Sequence, residues 1–332
     1  MQALNVAVAA LAANVETVVI GKSAAVRLAV LTMFAGGHLL IEDVPGVGKT
    51  VLAKALARSI GGSFRRVQGT PDLLPSDITG VNVFDQRSGD FTFQPGPVFA
   101  NVVLVDEINR VTPRTQSSLM EAMEERQVTT DGLTRALPVP FLVIATQNPL
   151  EHHGTFPLPE GQLDRFTMAV SLGYPDRDVE REIAHRQLLA HPLDHLEPVM
   201  DPAGLLEHQA RVRRVHVDNA ALDYAAALVG ATRTHPDVAM GASPRATIAL
   251  VRCAQVLAAA QNRAYVLPDD IKVLAAPVVG HRLILPPQAK ATRTGQAIVE
   301  EIAARLPVPL GAPSPDGHRA PVAPRLSSAP LR

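Results

Sequence analysis

His38-Leu39-Leu40-Ile41-Glu42-Asp43-Val44-Pro45-Gly46-Val47-Gly48-Lys49-Thr50 opens with a short apolar run that lacks a helical period and closes on a glycine loop ending in Lys-Thr. A helix-periodic stretch, Val51 to Ile60, follows at once. Strand, glycine loop, Lys-Thr and helix in that order are the context a phosphate-binding loop requires. Gly46 and Gly48 let the backbone turn so that successive N–H groups and the helix N-terminus face a polyphosphate. Lys49 is placed to reach the β- and γ-phosphates, and the Thr50 hydroxyl to ligate Mg²⁺. The candidate nucleotide-binding residues here are Pro45, Gly46, Val47, Gly48, Lys49, Thr50 and Val51. Asp43 stands where the usual pattern has its first glycine. A carboxylate aimed at phosphate is costly, so Asp43 is expected to point away.

Two similar apolar runs follow, Asn101-Val102-Val103-Leu104-Val105 and Phe141-Leu142-Val143-Ile144-Ala145-Thr146, with a fourth strand expected around Phe166 to Leu172. Continuous apolar strands alternating with helices predict a parallel sheet covered on both faces, an α/β core. Beyond Tyr174-Pro175 the strand signals stop. Helical patterns run over Asp176 to Leu189, Pro202 to Arg213, Asp218 to Thr234, Pro244 to Asn262 and Pro268 to Val279. The expected organisation is a core over 1–174, a linker and smaller all-helical domain over 175–306, and a disordered Pro-rich tail over 307–332, whose composition cannot bury a core.

The second strand ends in Asp106-Glu107, two carboxylates at the carboxyl end of a buried strand, where open α/β sheets carry their ligands. Adjacent strand residues point opposite ways, so Asp106 is assigned to Mg²⁺ and Glu107 to orienting and deprotonating the attacking water. The third strand ends in Gln147-Asn148-Pro149, where an amide is placed to bond the water or the γ-phosphate. Read alone, Asp-Glu after a strand is a solvated loop and Asn-Pro a turn signal.

Formal net charge is −1, so no excess of cations points to nucleic acid or anionic lipid. The single cysteine, Cys253, sits among Ala, Val and Leu and reads as a small buried hydrophobe. Met1 to Val15 has no Lys or Arg before Lys22 and is too short to span a bilayer, so an amphipathic helix and a cytoplasmic protein without a transmembrane segment are expected. His152-His153 invites a metal reading, but adjacent residues rarely converge on one ion. There is no internal repeat.

Four stretches together resemble the MoxR family of AAA+ ATPases: residues 37–50, Thr70-Pro71-Asp72-Leu73-Leu74-Pro75-Ser76-Asp77, Asp106-Glu107-Ile108-Asn109-Arg110, and Leu158-Pro159-Glu160-Gly161-Gln162-Leu163-Asp164-Arg165-Phe166. The resemblance runs from about Val18 to Leu306, and Asp43 is usual within it. It implies an AAA+ core with a helical lid, ATP and Mg²⁺ as cofactors, and ATP hydrolysis coupled to remodelling or activating a client protein, often one with a von Willebrand A domain. It implies a homo-oligomeric ring, a hexamer. Asn148 becomes the sensor-1 residue, Arg165 an arginine finger reaching a neighbour's γ-phosphate, and Arg245 the sensor-2 residue supplied by the lid of the same chain. Val19, Ile20 and Gly21 line the adenine pocket by the same analogy, and core packing explains them nearly as well. A structural ion pair remains the alternative for Arg165, and an ordinary surface arginine for Arg245. Ser243 and Pro244 read as N-cap and first position of a helix, which puts Arg245 in its first turn, where a cation opposes the helix dipole.

Two hairpins are expected. Val81 to Phe84 and Phe91 to Gln94 flank Arg87-Ser88-Gly89-Asp90, placed inside the second core helix; Gln127 to Ala136 turns at Asp131-Gly132. In related ATPases such hairpins face the pore or the client. Gly69 follows Gln68 where members of the family carry an aromatic. Two rivals stay open: a magnesium-chelatase-like ATPase subunit, and a nucleotide-switched scaffold with little hydrolysis, which the intact Asp106, Glu107 and Asn148 disfavour.

Overall fold

A computed structural model of the chain describes residues 3–87, 89–149, 154–188 and 192–309. His152, His153 and all but the first three residues of the Pro-rich tail lie outside the described residues. The strands in chain order are β1 (Leu39–Glu42), β2 (Phe64–Gln68), β3 (Gly80–Asp85), β4 (Asp90–Pro95), β5 (Val102–Asp106), β6 (Gln127–Thr130), β7 (Leu133–Ala136), β8 (Leu142–Gln147) and β9 (Met168–Val170). Five of them form one sheet in the order β2-β5-β8-β1-β9, all parallel.

The continuous apolar runs are explained by this arrangement. Leu39 and Ile41, Val102 and Leu104, Leu142 and Ile144, and Met168 and Val170 enter one core cluster; the alternate residues Leu40, Val103, Val105, Val143, Ala145 and Ala169 enter a second on the opposite face. A strand with two buried faces has no polar side to show. The strand missed in sequence is β2. It lies at the sheet edge, where Arg65, Arg66 and Gln68 are exposed and only Val67 is buried, so it reads as a polar connection.

Helices α1 (Leu4–Glu16), α2 (Ser23–Ala35) and α3 (Lys49–Ser59) contribute to the first cluster, and α5 (Pro113–Glu125) to the second, after the short α4 (Pro75–Thr79). The β3–β4 hairpin follows α4 directly and the chain then turns into β5, so this hairpin does not interrupt a core helix as expected. The β6–β7 hairpin forms where Asp131-Gly132 supplies two residues of positive φ.

After the four-residue α6 (Glu160–Leu163) and β9 come α7 (Arg177–Gln187), α8 (Pro202–Val212), α9 (Asn219–Ala231), α10 (Pro244–Ala260), α11 (Pro268–Val279), the short α12 (Pro287–Lys290) and α13 (Gly295–Arg305). Their starts are chemically marked: Asp176, Asp201, Asp218, Ser243 and Thr294 each accept a hydrogen bond from a backbone N–H of the first turn, and such a cap contributes about 1 kcal/mol. α13 was not anticipated. The helical lid shares the first core cluster with the sheet, through Leu250 and Val256 of α10 and Leu274 and Val278 of α11. Val308, the second residue of the expected tail, also packs against that cluster. Cys253 is fully buried, and burial pushes its thiol up to about 12. No helix among the described residues is long and apolar enough to cross a membrane.

Candidate active site

The loop between β1 and α3 turns on Gly46 and Gly48, at φ +85° and +98°, a region L side chains rarely adopt. Gly48 caps α3, so Lys49 and Thr50 occupy its first turn. The Lys49 ammonium donates to the Asp43 carbonyl oxygen at 2.9 Å, and the side chain is nearly buried. Asp43 does point away from the loop. Its Oδ2 accepts from the backbone N–H groups of Leu172 (2.6 Å) and Gly173 (2.7 Å) and from Ser171 Oγ (3.1 Å), just past β9. The acidic residue thus anchors the loop to the neighbouring strand.

Asp106 and Glu107 emerge at the carboxyl end of β5, two strands from the loop. Glu107 has φ +56° and ψ +50°, a left-handed conformation that costs a non-glycine residue of order 1–3 kcal/mol and so must be held by its surroundings. Fully buried Thr146 of β8 holds it. Its hydroxyl donates to Asp106 Oδ1 at 2.6 Å and accepts from the Glu107 N–H at 2.9 Å. From β2, Arg66 pairs with Asp106 Oδ2 at 2.7 Å and Gln68 donates to Glu107 Oε2 at 3.2 Å, which Arg110 also approaches at 3.4 Å. Arg66, Gln68, Thr146 and Arg110 were not singled out for this carboxylate pair in sequence: β2 reads as a loop, and strand register brings Arg66, Gln68 and Thr146 to the pair, while Arg110 reaches Glu107 from three residues further along the turn.

Gly69 has a reason independent of any aromatic preference. Its N–H donates to the Asp106 carbonyl at 2.7 Å, and a Cβ there would lie 2.3 Å from the Glu107 carbonyl oxygen. Asn148 follows β8 at the same end of the sheet. Gln147, also considered for the γ-phosphate, instead donates to Glu42 Oε1 at 2.7 Å. Burial raises the Glu42 pKa, and the bond from Gln147 and the charge of Lys290 oppose that rise.

Beside the phosphate loop a cavity of about 190 Å³ is lined by Val18, Val19 and Ile20, by Gly46, Val47, Gly48 and Val51, and by Ile183, Arg186 and Gln187 of α7. Its apolar walls next to the loop suit a nucleoside base. Gly21 is not in that lining; at φ +72° it turns the chain against α7, and a Cβ would meet Val179 at 2.7 Å. Pro45 is exposed at the loop tip and Thr50 is half-buried.

Arg165 and Arg245 lie elsewhere. Both pair with Glu124 near the end of α5, and Arg165 also donates to the Met120 carbonyl at 3.3 Å. This cluster is at the amino-terminal end of the sheet. Thr167 N bonds the His38 carbonyl ahead of β1, and Arg126, two residues after Glu124, donates to the Gly36 carbonyl. The four-residue β1 separates that end from the phosphate loop by roughly 13 Å at about 3.3 Å per residue. Arg245 stands beside Arg165 at this end of the sheet, the two sharing Glu124. Burial, and after it the Arg245 charge, lower the Arg165 pKa. Among the described residues no cluster of three His, Cys, Asp or Glu side chains forms a metal site of its own.

Comparison with known proteins agrees with this geometry. Residues 38–168 match the model for the ATPase family associated with various cellular activities (AAA), and residues 230–302 match an AAA lid domain. The chain is 47% identical over 298 residues to the uncharacterized protein YeaC of Bacillus subtilis, covering 90% of this chain and 93% of that one. It is 40% identical over 295 residues to chaperone MoxR1 of Mycobacterium tuberculosis, covering 86% and 78%, and 31% identical over 305 residues to protein MoxR of Methylorubrum extorquens, covering 82% and 86%. A solved structure from Cytophaga hutchinsonii, described as a candidate ATPase, superposes with a TM-score of 0.85 at 36% identity over 92% of this chain and 96% of that one. With a phosphate loop, a paired carboxylate and a helical lid in these positions, and with relatives matching over most of both chains, the protein belongs to the MoxR family of AAA+ ATPases and is an ATP-hydrolysing enzyme.

Proposed function

We propose that this ATPase works as a ring, a hexamer, in which Arg165 and Arg245 of one subunit act on the ATP held by the next, and that it spends hydrolysis on remodelling or maturing a client protein. The observation that carries the ring is the pairing of both arginines on Glu124, roughly a strand length from the phosphate loop of their own chain. In each composite site Lys49 and the N–H groups of the glycine loop bind the polyphosphate, and the cavity beside them takes the adenine. The Thr50 hydroxyl and Asp106 carboxylate are hard oxygen donors that suit Mg²⁺, which when bound neutralises charge on the β- and γ-phosphates. Glu107, held by Thr146 and Gln68, accepts the proton of the attacking water, and Asn148 orients that water. An arginine supplied in trans neutralises charge as the γ-phosphoryl transfers, a gain of roughly 10³–10⁵ in rate in known cases.

The client role is supported by the name of the relative chaperone MoxR1 and by the hairpins. Phe84 and Phe91 pack with ring centres 5.2 Å apart and planes tilted by 55° on the β3–β4 hairpin and are half or more exposed, an apolar grip outside the core clusters of the described residues. A von Willebrand A domain protein is the client class we favour, in the cytoplasm. Mixing Arg165→Ala, left with only a residual rate, with Lys49→Ala, which does not hold ATP, tests the ring: some interfaces then pair an intact loop with an intact arginine, and activity partly recovers. No recovery despite demonstrated subunit exchange refutes the shared site. Co-purification with Glu107→Gln, which holds ATP without turnover, tests the client: recovery of no specific protein refutes that part.

A further inference from the structure

We infer that Asp164 is a positioning residue that locks Arg165 of the core and Arg245 of the lid into one pair, so that a neighbouring site meets two cations in fixed register. The inference rests on the reading above, that these arginines act between subunits. Asp164 directly precedes Arg165, and two lid groups converge on its carboxylate. Ser243 Oγ donates to Oδ2 at 2.7 Å, and Arg282 Nε lies 3.0 Å from Oδ1. Ser243 is the N-cap of α10 and accepts from the Arg245 N–H at 3.0 Å, so the same hydroxyl ties Asp164 to the first turn that carries Arg245. Arg282 is 5% exposed and also donates to the Phe166 carbonyl at 2.7 Å and to the Val278 carbonyl. The backbone on both sides of Arg165 is thereby pinned to the lid.

Stability alone does not account for such a network. A buried ion pair contributes little net free energy compared with apolar packing of the same volume, so its use lies in the geometry it imposes. Arg165 and Arg245 repel each other, and Glu124 touches only their guanidinium ends. Asp164 fixes them at the other end, where each side chain leaves its backbone. Without it, the first turn of α10 loses its tie to the core loop and can shift against it, while the phosphate loop, at the other end of the sheet, is untouched.

The test measures kcat, KM and ATP affinity for Asp164→Asn and Ser243→Ala, alone, combined with Arg165→Ala, and mixed with Lys49→Ala. A displacement of about 1 Å in a catalytic group costs up to roughly 100-fold, so Asp164→Asn should lose about 10–100-fold in kcat. ATP affinity should be unchanged. The loss should be non-additive with Arg165→Ala, and activity should recover on mixing with Lys49→Ala. Ser243→Ala, which removes only the hydroxyl, should show a smaller loss of the same kind. Wild-type kcat in a folded variant, a fall in ATP affinity matching the fall in kcat, or a loss that adds to that of Arg165→Ala overturns the inference. Should Asp164→Asn fail to fold with Arg282 left unpaired, Asp164→Asn with Arg282→Met removes both buried charges, and it and Ser243→Ala are judged by the same criteria. Recovery for Arg165→Ala but not for Asp164→Asn in the mixing arm sinks this inference and leaves the ring standing. Recovery for neither, with non-additivity retained, sinks the ring reading and leaves Asp164 acting through Arg165 within one chain.

Discussion

Replacing Thr146 by Val removes one hydroxyl at nearly constant volume and should cripple hydrolysis without touching a phosphate contact. That hydroxyl is fully buried, donates to Asp106 at 2.6 Å and accepts from the Glu107 N–H at 2.9 Å. Leaving a buried N–H unpaired costs about 1–3 kcal/mol, and a lost bond to a carboxylate is worth about the same. Glu107 is already in a left-handed conformation at φ +56°, so the bond that vanishes is one that holds it there. Relaxation of Glu107 by about 1 Å is enough for a 10–100-fold loss of kcat. Thr146→Val should therefore lower kcat by that factor and Tm by a few degrees, at about 2–4 °C per kcal/mol for a chain approaching this size. Thr146→Ser, which keeps the hydroxyl, should recover most of the rate. The assay is steady-state ATPase with a parallel ATP-binding titration, which should stay close to wild type. Thr146→Val with wild-type kcat would show that Glu107 is positioned by something else.

Lys49→Ala should lose ATP binding while remaining folded, and wild-type affinity in a titration would remove the loop from the site. Glu107→Gln should bind ATP and turn over poorly; near wild-type turnover places the base elsewhere. Gly69→Ala puts a methyl 2.3 Å from the Glu107 carbonyl oxygen, so the catalytic turn must shift; kcat should fall at least as far as in Thr146→Val, and an unchanged rate would mean the turn yields freely. His38 and His281 are buried and neutral, with pKa values lowered by burial from 6.5 to about 4 and about 3. The unfolded chain gains those protons first, so stability is full above about pH 6.5 and declines as pH falls toward 4, by on the order of 3 kcal/mol for His38 over the whole window. Urea midpoints that do not change between pH 7 and 5 would contradict the neutral burial of both.

The sequence by itself determined whatever is encoded in consecutive residues. The strand-loop-helix signature at 38–60 requires a phosphate loop wherever it occurs, because glycine conformations and a helix N-terminus are local properties. The twin-faced apolar runs require a sheet covered on both sides. Asp and Ser caps mark the lid helices, and Asp131-Gly132 marks a hairpin. Tertiary structure alone decided what depends on strand register and on packing between distant elements. β2 is a strand only because β5 lies beside it, and so Arg66 and Gln68 reach Asp106 and Glu107 without any sequence signal for doing so. Thr146 looked like the polar end of a strand, and the pairing of β8 with β5 sets it under both carboxylates. Arg245 read correctly as a first-turn arginine, but its address depended on how the lid docks, which is written across Asp164, Ser243 and Arg282, residues up to 118 positions apart. Contacts over such separations leave no period or spacing in the chain, and so they become visible only once it has folded.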